Sequence, residues 1–236
     1  MSVLTIDRLF VCYLNHNLNL RFQQVDDIDT YLSKAKLLGI YNCRRARDCA
    51  IVEGKETQTV ISETPIQLIN DISRPSSGLF FDARFPVIDL SNTTLISDST
   101  RGMFKECKSK EIHLEGMRAP YLETMYHTFL DAEALVINID GIITKNTRYL
   151  AELFARCFTV KHISMKNSDT SRVTSIAAMF DRCINLESVD GLLSFNIESI
   201  TNETKPDFTD KTYLASLFSY TSISKIILDN QEIQLE

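Results

Sequence analysis

A phenylalanine recurs at intervals of 25, 25, 26 and finally 38 residues through the C-terminal two thirds of this chain of 236 residues. The residues beside it recur as well: an apolar or small residue stands four positions before each copy, and Cys, Ala or Thr stands three positions after it. Units of this length are too small to bury their own apolar side, so they have to stack into a solenoid. The five copies are Phe104, Phe129, Phe154, Phe180 and Phe218.

Two hydrophobic periods alternate within each unit. Apolar residues at steps of three and four around the phenylalanine predict a short amphipathic helix. A few residues later the period changes to two, which predicts a short strand with one buried face. The sequence therefore predicts an α/β solenoid over residues 86–236, a leucine-rich-repeat-like stack of short parallel strands and short helices. The predicted inward strand positions are Ile88 and Leu90, Ile112 and Leu114, Ile137 and Ile139, Ile163 and Met165, Val189, and Ile226 and Leu228.

The stretch TSRVTSIAAMFDRCINLESVD carries the clearest copy of the unit, with the pattern V-x-x-I-x-x-MF-x-x-C-x-x-L-x-x-V between Val173 and Val189. This pattern resembles the BspA-like leucine-rich repeats, whose units have about 26 residues. The resemblance extends over about residues 86–230. That family occurs in bacteria, mycoplasmas and some protists and viruses. Its known members are mostly secreted or surface adhesion proteins, so the resemblance implies a repeat solenoid and keeps a surface adhesin as an alternative function.

The last interval between phenylalanines is longer than the others, which implies an insertion near residues 194–210. Insertions in repeat arrays map to loops on one face and often make contacts. A degenerate repeat without its own strand explains the extra length equally well. The sequence leaves both interpretations open.

Residues 1–85 lack the phenylalanine period. Their pattern predicts a hairpin around the NHN turn, a helix from Asp26 or Asp27 to Gly39, and a second hairpin near Glu53. The sequence predicts a small α+β cap that closes the first coil of the solenoid. The alternative is a separate module with an enzymatic or toxin activity of its own.

The charge balance argues against generic binding to nucleic acid. The net charge is −6 and the pI is about 5.3, whereas binding to a phosphate backbone needs clustered Lys and Arg. The N-terminal stretch has Asp7 and Arg8 where a signal peptide would be apolar, and no run of apolar residues is long enough for a membrane span. We therefore expect a cytoplasmic protein that binds neither nucleic acid directly nor a membrane.

No pattern in the chain predicts an enzyme, a cofactor or a metal site. Stacking of the predicted strands would place His113 and His162 two coils apart, and this separation is too large for both to bind one metal ion. Cys43 and Cys49 bracket an arginine run, which leaves a reactive cysteine as an alternative, but their spacing is not a zinc or redox motif. The repeat cysteines occupy a small apolar column, where packing explains them: Cys107, Cys157 and Cys183.

The side chains between the buried strand positions predict a docking surface. In a leucine-rich solenoid these residues line the concave side, and here acidic groups outnumber basic ones among them. We therefore expect a non-enzymatic protein-binding chain (an adaptor, inhibitor or host-directed factor) whose partner is another protein with a basic or mixed-charge patch. Acidic mimicry of nucleic acid is a further alternative. The predicted partner-binding residues are Asp89, Glu111, His113, Glu115, Asn138, Asp140, His162, Ser164, Lys166, Asp190 and Asp229.

Overall fold

A computed structural model describes residues 3–5, 59–61, 66–68, 78–91, 93–95, 97–201, 206–221 and 223–235. The described strands are β1 (Val3–Thr5), β2 (Thr59–Ile61), β3 (Ile66–Leu68), β4 (Val87–Asp89), β5 (Thr93–Leu95), β6 (Glu111–His113), β7 (Val136–Asn138), β8 (His162–Ser164), β9 (Ser188–Asp190), β10 (Lys225–Leu228) and β11 (Gln231–Gln234). A nine-stranded sheet has the order β1-β2-β4-β6-β7-β8-β9-β10-β11, and β3 pairs with β5 in a smaller sheet. All pairs are parallel except β10 with β11. The fold is a β-solenoid.

The predicted strands of residues 86–236 are confirmed, with their predicted inward faces. Ile112 of β6 lies beside Ile88 of β4 and Ile137 of β7, and this column of central residues continues through the following strands. Each of these residues is buried, because alternate side chains of a strand point to opposite faces of the sheet. The core therefore lies behind the strands, inside the coils.

The recurring phenylalanines form one stacked column through the core. All five rings are buried, and consecutive centroids lie 5.1–5.6 Å apart with nearly parallel planes. The column also includes Phe80, which the sequence analysis did not include, at 5.3 Å from Phe104. Contacts of this geometry contribute about 0.5–1.5 kcal/mol per pair beyond the burial of area. The column therefore joins six consecutive layers of the solenoid.

The prediction of a helix at each phenylalanine is wrong for four of the five copies. At Phe104 the chain makes two successive β-turns, in which Met103 N–H donates to Thr100 O at 2.8 Å and Cys107 N–H donates to Phe104 O at 3.1 Å. The same pair of turns recurs around Phe129 and Phe154. Each turn covers four residues and joins positions i and i+3, so successive turns repeat the steps of three and four that otherwise indicate a helical face.

The backbone between the turns connects neighbouring coils, which a helix does not do. The N–H of Phe104 donates to Thr128 O of the next coil at 2.9 Å, and the N–H of Phe129 donates to Leu153 O at 3.0 Å. In an α-helix, each amide would instead donate to the carbonyl of the residue four positions earlier. The solenoid thus extends its ladder of hydrogen bonds around this corner, so the phenylalanine layers are joined by backbone as well as by rings.

The exception is the copy at Phe218, where the predicted helix is confirmed as α1 (Lys211–Leu217), the one α-helix among the described residues. The Asp210 side chain caps it by accepting the N–H of Thr212 at 2.8 Å. A two-residue turn then joins β10 to β11. Asp229 and Asn230 both have positive φ there, 47° and 65°, as a type I′ hairpin requires.

The insertion lies between a short 3-10 helix (Leu192–Ser194) and α1. Its described residues, 194–201 and 206–210, contain no strand. Phe195 and Ile200 are buried, and Ile197 and Phe208 pack against the core. The apolar residues of the insertion therefore contribute to the core of the solenoid.

The prediction of an N-terminal α+β cap falls mainly on residues outside the described ranges. The predicted hairpin around NHN and the predicted helix ending at Gly39 lie outside the described ranges. Most of the predicted hairpin near Glu53 lies outside them as well. The described part of residues 1–85 comprises β1–β3 and the coil that begins at residue 78. In that part, β1 and β2 extend the main sheet beyond β4.

Candidate docking face

The predicted partner-binding residues lie together on the outward side of the main sheet, which we call the strand face. Asp89, His113, Asn138, Ser164 and Asp190 form one row in direct register across β4, β6, β7, β8 and β9. Glu111 and His162 lie in a second row, on either side of Val136. Adjacent parallel strands are about 4.8 Å apart, so the six strands from β4 to β10 span about 25 Å. The remaining predicted residues follow the strands: Glu115, Asp140, Lys166 and Asp229.

His113 lies between two carboxylates at the β4–β6 end of the strand face. Its Nε2 is 3.0 Å from Oε2 of Glu111, and its Nδ1 is 3.2 Å from Oε1 of Glu115. Partial burial opposes the charged imidazole, but the hydrogen bonds and charges of the two glutamates outweigh it and raise the pKa of His113. The imidazolium is therefore more readily formed here than in water.

The central part of the strand face is held by hydrogen bonds to Asp140. Its Oδ1 accepts the Ser164 hydroxyl at 2.6 Å and the backbone N–H of Lys166 at 2.7 Å. The Asp140 N–H in turn donates to Oδ1 of Asn138 at 3.0 Å. Asp140 thus connects two neighbouring coils.

Lys166 forms an ion pair with the next coil. Its Nζ lies 2.7 Å from Oδ2 of Asp190, and this hydrogen bond and the charge of Asp190 raise the pKa of Lys166. His162 contacts the same coil through Nδ1, which is 2.9 Å from the hydroxyl of Ser188. These pairs run along the solenoid axis from one coil to the next.

Asp229 differs from the other residues of the strand face because both of its carboxylate oxygens accept backbone N–H groups. Its Oδ1 accepts the N–H of Gly191, and its Oδ2 accepts the N–H of Leu193 at 2.8 Å. These bonds satisfy amides at the start of the 3-10 helix and fix the β10–β11 turn against it. Both carboxylate oxygens of Asp229 are therefore engaged within the protein.

The acidic charge of the strand face is consequently uneven. Asp140, Asp190 and Asp229 are engaged by donors from neighbouring coils. At the other end, Asp89, Glu111 and Glu115 form no ion pair with any Lys or Arg among the described residues. His113 is the cationic partner available to that end, and it carries a full charge only below its pKa.

One repeat position carries an exposed, large apolar side chain in two consecutive coils, and this position was not predicted from the sequence. Phe158 and Ile184 each follow a column phenylalanine by four residues, and both remain substantially exposed. Leu135, which directly precedes β7, is exposed as well. The signal was present in the sequence as two large apolar residues at an equivalent repeat position.

Two further properties bear on the classes of function. Within the described ranges, no three His, Cys, Asp or Glu side chains are grouped so that they could hold a metal ion. Among the described helices, none has the length and apolar character needed to cross a bilayer.

The parallel strands, stacked phenylalanines and repeated turns define a β-solenoid repeat protein whose outward sheet face is mostly polar. The chain belongs to the family described as "Mycoplasma protein of unknown function, DUF285", which matches residues 90–216. No curated protein and no solved structure matches the chain.

Proposed function

We propose that this chain is a non-enzymatic binding protein that docks another protein on its strand face, in the role of an adaptor, an inhibitor or a host-directed factor. The observation that carries the proposal is the register of the two outward rows, one polar and one mixed, which aligns side chains of six neighbouring strands along one continuous surface. A surface about 25 Å long matches the scale of a protein interface better than that of a small-molecule pocket.

The chemistry of the strand face favours a partner with a basic or mixed-charge patch. Among its predicted partner-binding residues, six are acidic and Lys166 is the one lysine or arginine. Complementary charge increases the rate of encounter and rejects wrong partners. We place the strongest attraction at the β4–β6 end, because the carboxylates of Glu111 and Glu115 have no described Lys or Arg partner.

We also propose that the coils are a variant of the BspA-like leucine-rich repeats. The pattern between Val173 and Val189 supports this, since its apolar positions are buried in consecutive layers. In this variant, paired β-turns take the position of the short helix in four of the five sequence copies.

A charge-reversal capture experiment tests the proposed docking surface. The variant Glu111→Lys with Glu115→Lys changes the charge of the β4–β6 end and leaves the hydrogen bonds of Asp140 in place. The matched control is Glu106→Lys with Glu123→Lys, which reverses two exposed glutamates away from the strand face. Wild type and both variants serve as bait in extract of cells that express the chain, and each captured protein is then purified and titrated against all three by calorimetry.

The expected result is a protein that binds wild type and the control with similar affinity and binds the strand-face variant at least tenfold more weakly, as repulsion of an interfacial charge predicts. If every partner binds all three proteins equally, the docking surface is not the strand face.

A further inference from the structure

His113 has a different environment from the other histidines of the described coils. It is the last residue of β6 and is partly buried, and each ring nitrogen lies within hydrogen-bonding distance of a different glutamate, at 3.0 Å and 3.2 Å. His162, on the same face, is more exposed and bonds to a serine hydroxyl. His127 pairs with Glu152 at a turn outside the strand face. Only His113 therefore connects protonation to both glutamates at the β4–β6 end.

We propose that His113 is a proton-controlled competitor for the docking site: its charged form donates to Glu111 and Glu115 together, whereas its neutral form has one N–H and leaves at least one of the two carboxylates free for a cationic side chain of the partner. This inference rests on the proposed function and adds its regulation. Binding of a basic segment is then favoured above the pKa of His113 and disfavoured below it.

The groups that face His113 from neighbouring strands support this assignment. On β4 its register partner is Asp89, whose Oδ1 accepts the N–H of Ser91 at 2.9 Å. On β7 its register partner is the uncharged Asn138, and the next acid on that side, Asp140, is engaged by Ser164 and Lys166. No described lysine or arginine pairs with these glutamates, so His113 supplies the local positive charge.

The direction of the effect follows from linkage. The two glutamates raise the pKa of His113 above that of a free histidine, although burial opposes them. Protonation fills the site with an internal cation, and a bound external cation must in turn lower the pKa of His113 by the same coupling. One pH unit below that pKa, about a tenth of the molecules have a neutral His113, so the apparent affinity for a cationic segment falls about tenfold.

The first measurement follows the proton itself. NMR titration of the full chain should give His113 a pKa above that of a free histidine, and addition of an oligoarginine peptide should lower it. A His113 resonance that titrates below the free value, or that does not respond to the peptide, would overturn the proposal. This measurement needs no captured partner, so its outcome is separate from that of the capture experiment.

The second measurement uses variants that fix the charge of the competitor. His113→Gln is neutral at all pH values and should bind the oligoarginine peptide with a similar affinity at about pH 8 and about pH 5.5. His113→Lys is charged at both and should bind weakly at both, whereas wild type, in which the pKa of His113 is raised, should change by at least about tenfold between them. His127→Gln, at a turn outside the strand face, is the matched control and should keep the wild-type pH dependence.

The proposal is overturned if His113→Gln keeps the full pH dependence, or if oligoarginine fails to bind wild type at about pH 8 and low salt. Circular dichroism of each variant separates a loss of binding from a loss of fold. The peptide results can agree with the proposal while captured proteins bind the Glu111→Lys, Glu115→Lys variant as tightly as wild type. In that case His113 controls binding of cations at this site, but the strand face is not the docking surface for those proteins.

Discussion

At the scale of single residues, the neighbours of a side chain decide what it is free to do. Asp140 and Asp229 were predicted from their positions to contact a partner, and the structure places both on the strand face. Their carboxylates, however, accept hydrogen bonds from within the protein, including the N–H of Lys166 and the N–H of Leu193. The same residue type at an equivalent position can therefore support the solenoid as well as face a partner.

Replacement of Asp229 tests its structural role. Asp229→Ala removes the acceptor for Gly191 and Leu193, leaving two partly buried amides without their charged partner. We expect the free energy of unfolding to fall by about 1–3 kcal/mol in chemical denaturation. Asp98→Ala, at an exposed side chain, is the control and should change stability by less than about 0.5 kcal/mol. Equal effects of the two substitutions would contradict the structural role.

The repeat cysteines should be chemically inert in the folded protein. Burial raises the pKa of Cys107 and of Cys157 well above that of a free thiol, and Cys183 is also buried. Cys107 and Cys157 therefore remain protonated at about pH 8, whereas the thiolate is the form that reacts. A variant with serine at positions 12, 43 and 49 isolates them, and thiol reagents should modify it rapidly only in denaturant. Rapid modification of the native variant would contradict this expectation.

At the scale of elements, the paired turns around each column phenylalanine depend on left-handed residues. Two residues before the ring, His127, Glu152 and Ala178 have φ between 51° and 57°. Two residues after it, Asp131 and Arg156 have φ of 61°. The residue directly before each of these left-handed residues has a negative φ, and this combination at the two central positions identifies type II turns. Non-glycine residues in this conformation cost about 1–2 kcal/mol each, so the contacts between coils have to hold them there.

A glycine substitution distinguishes a turn from a helix by the sign of its effect. Ala178→Gly relieves the left-handed conformation at φ 51° and should raise the free energy of unfolding by about 0.5–1 kcal/mol. In a helix the same change would lower it by about 1 kcal/mol. Ala177→Gly, at the preceding residue with ordinary φ, is the control and should not stabilise. Destabilisation by both substitutions in thermal or chemical unfolding would favour the helix.

At the scale of the whole molecule, each coil is stable only against its neighbours. The phenylalanine rings and the amide-to-carbonyl bonds between coils run along the same axis, so removal of one layer affects the layers on both sides. The strand face exists for the same reason, because each of its rows takes one residue from each of several successive coils.

Truncation of a central ring tests this dependence. Phe154→Ala leaves a cavity between Phe129 and Phe180 and should lower the free energy of unfolding by about 3–5 kcal/mol. The matched control is Phe158→Ala, since that ring in the same coil is 39% exposed, and its loss should cost less than about 1 kcal/mol. Similar costs for the two changes, measured by denaturant titration, would contradict the column as the core of the fold.

The sequence alone determined the stacking, the buried column and the strand register. Phenylalanines at nearly fixed intervals, with Ile112 and Ile137 in equivalent positions, have a single arrangement that buries every copy. The register then followed, which placed His113 and Ser164 in one row of the strand face. Hydrophobic burial depends on spacing, and spacing is readable in a sequence.

Only the tertiary structure decided between helix and turn, and which acids are free. Steps of three fit both conformations, and residues such as Glu152 and Arg182 give no glycine signal for a left-handed turn. The choice was made by hydrogen bonds to a neighbouring coil about 25 residues away in sequence. The engagement of Asp229 by Gly191 and the enclosure of His113 by two glutamates likewise depend on distances in space. Local patterns contain hydrophobic periodicity, whereas hydrogen-bond partners are known only once the coils are stacked.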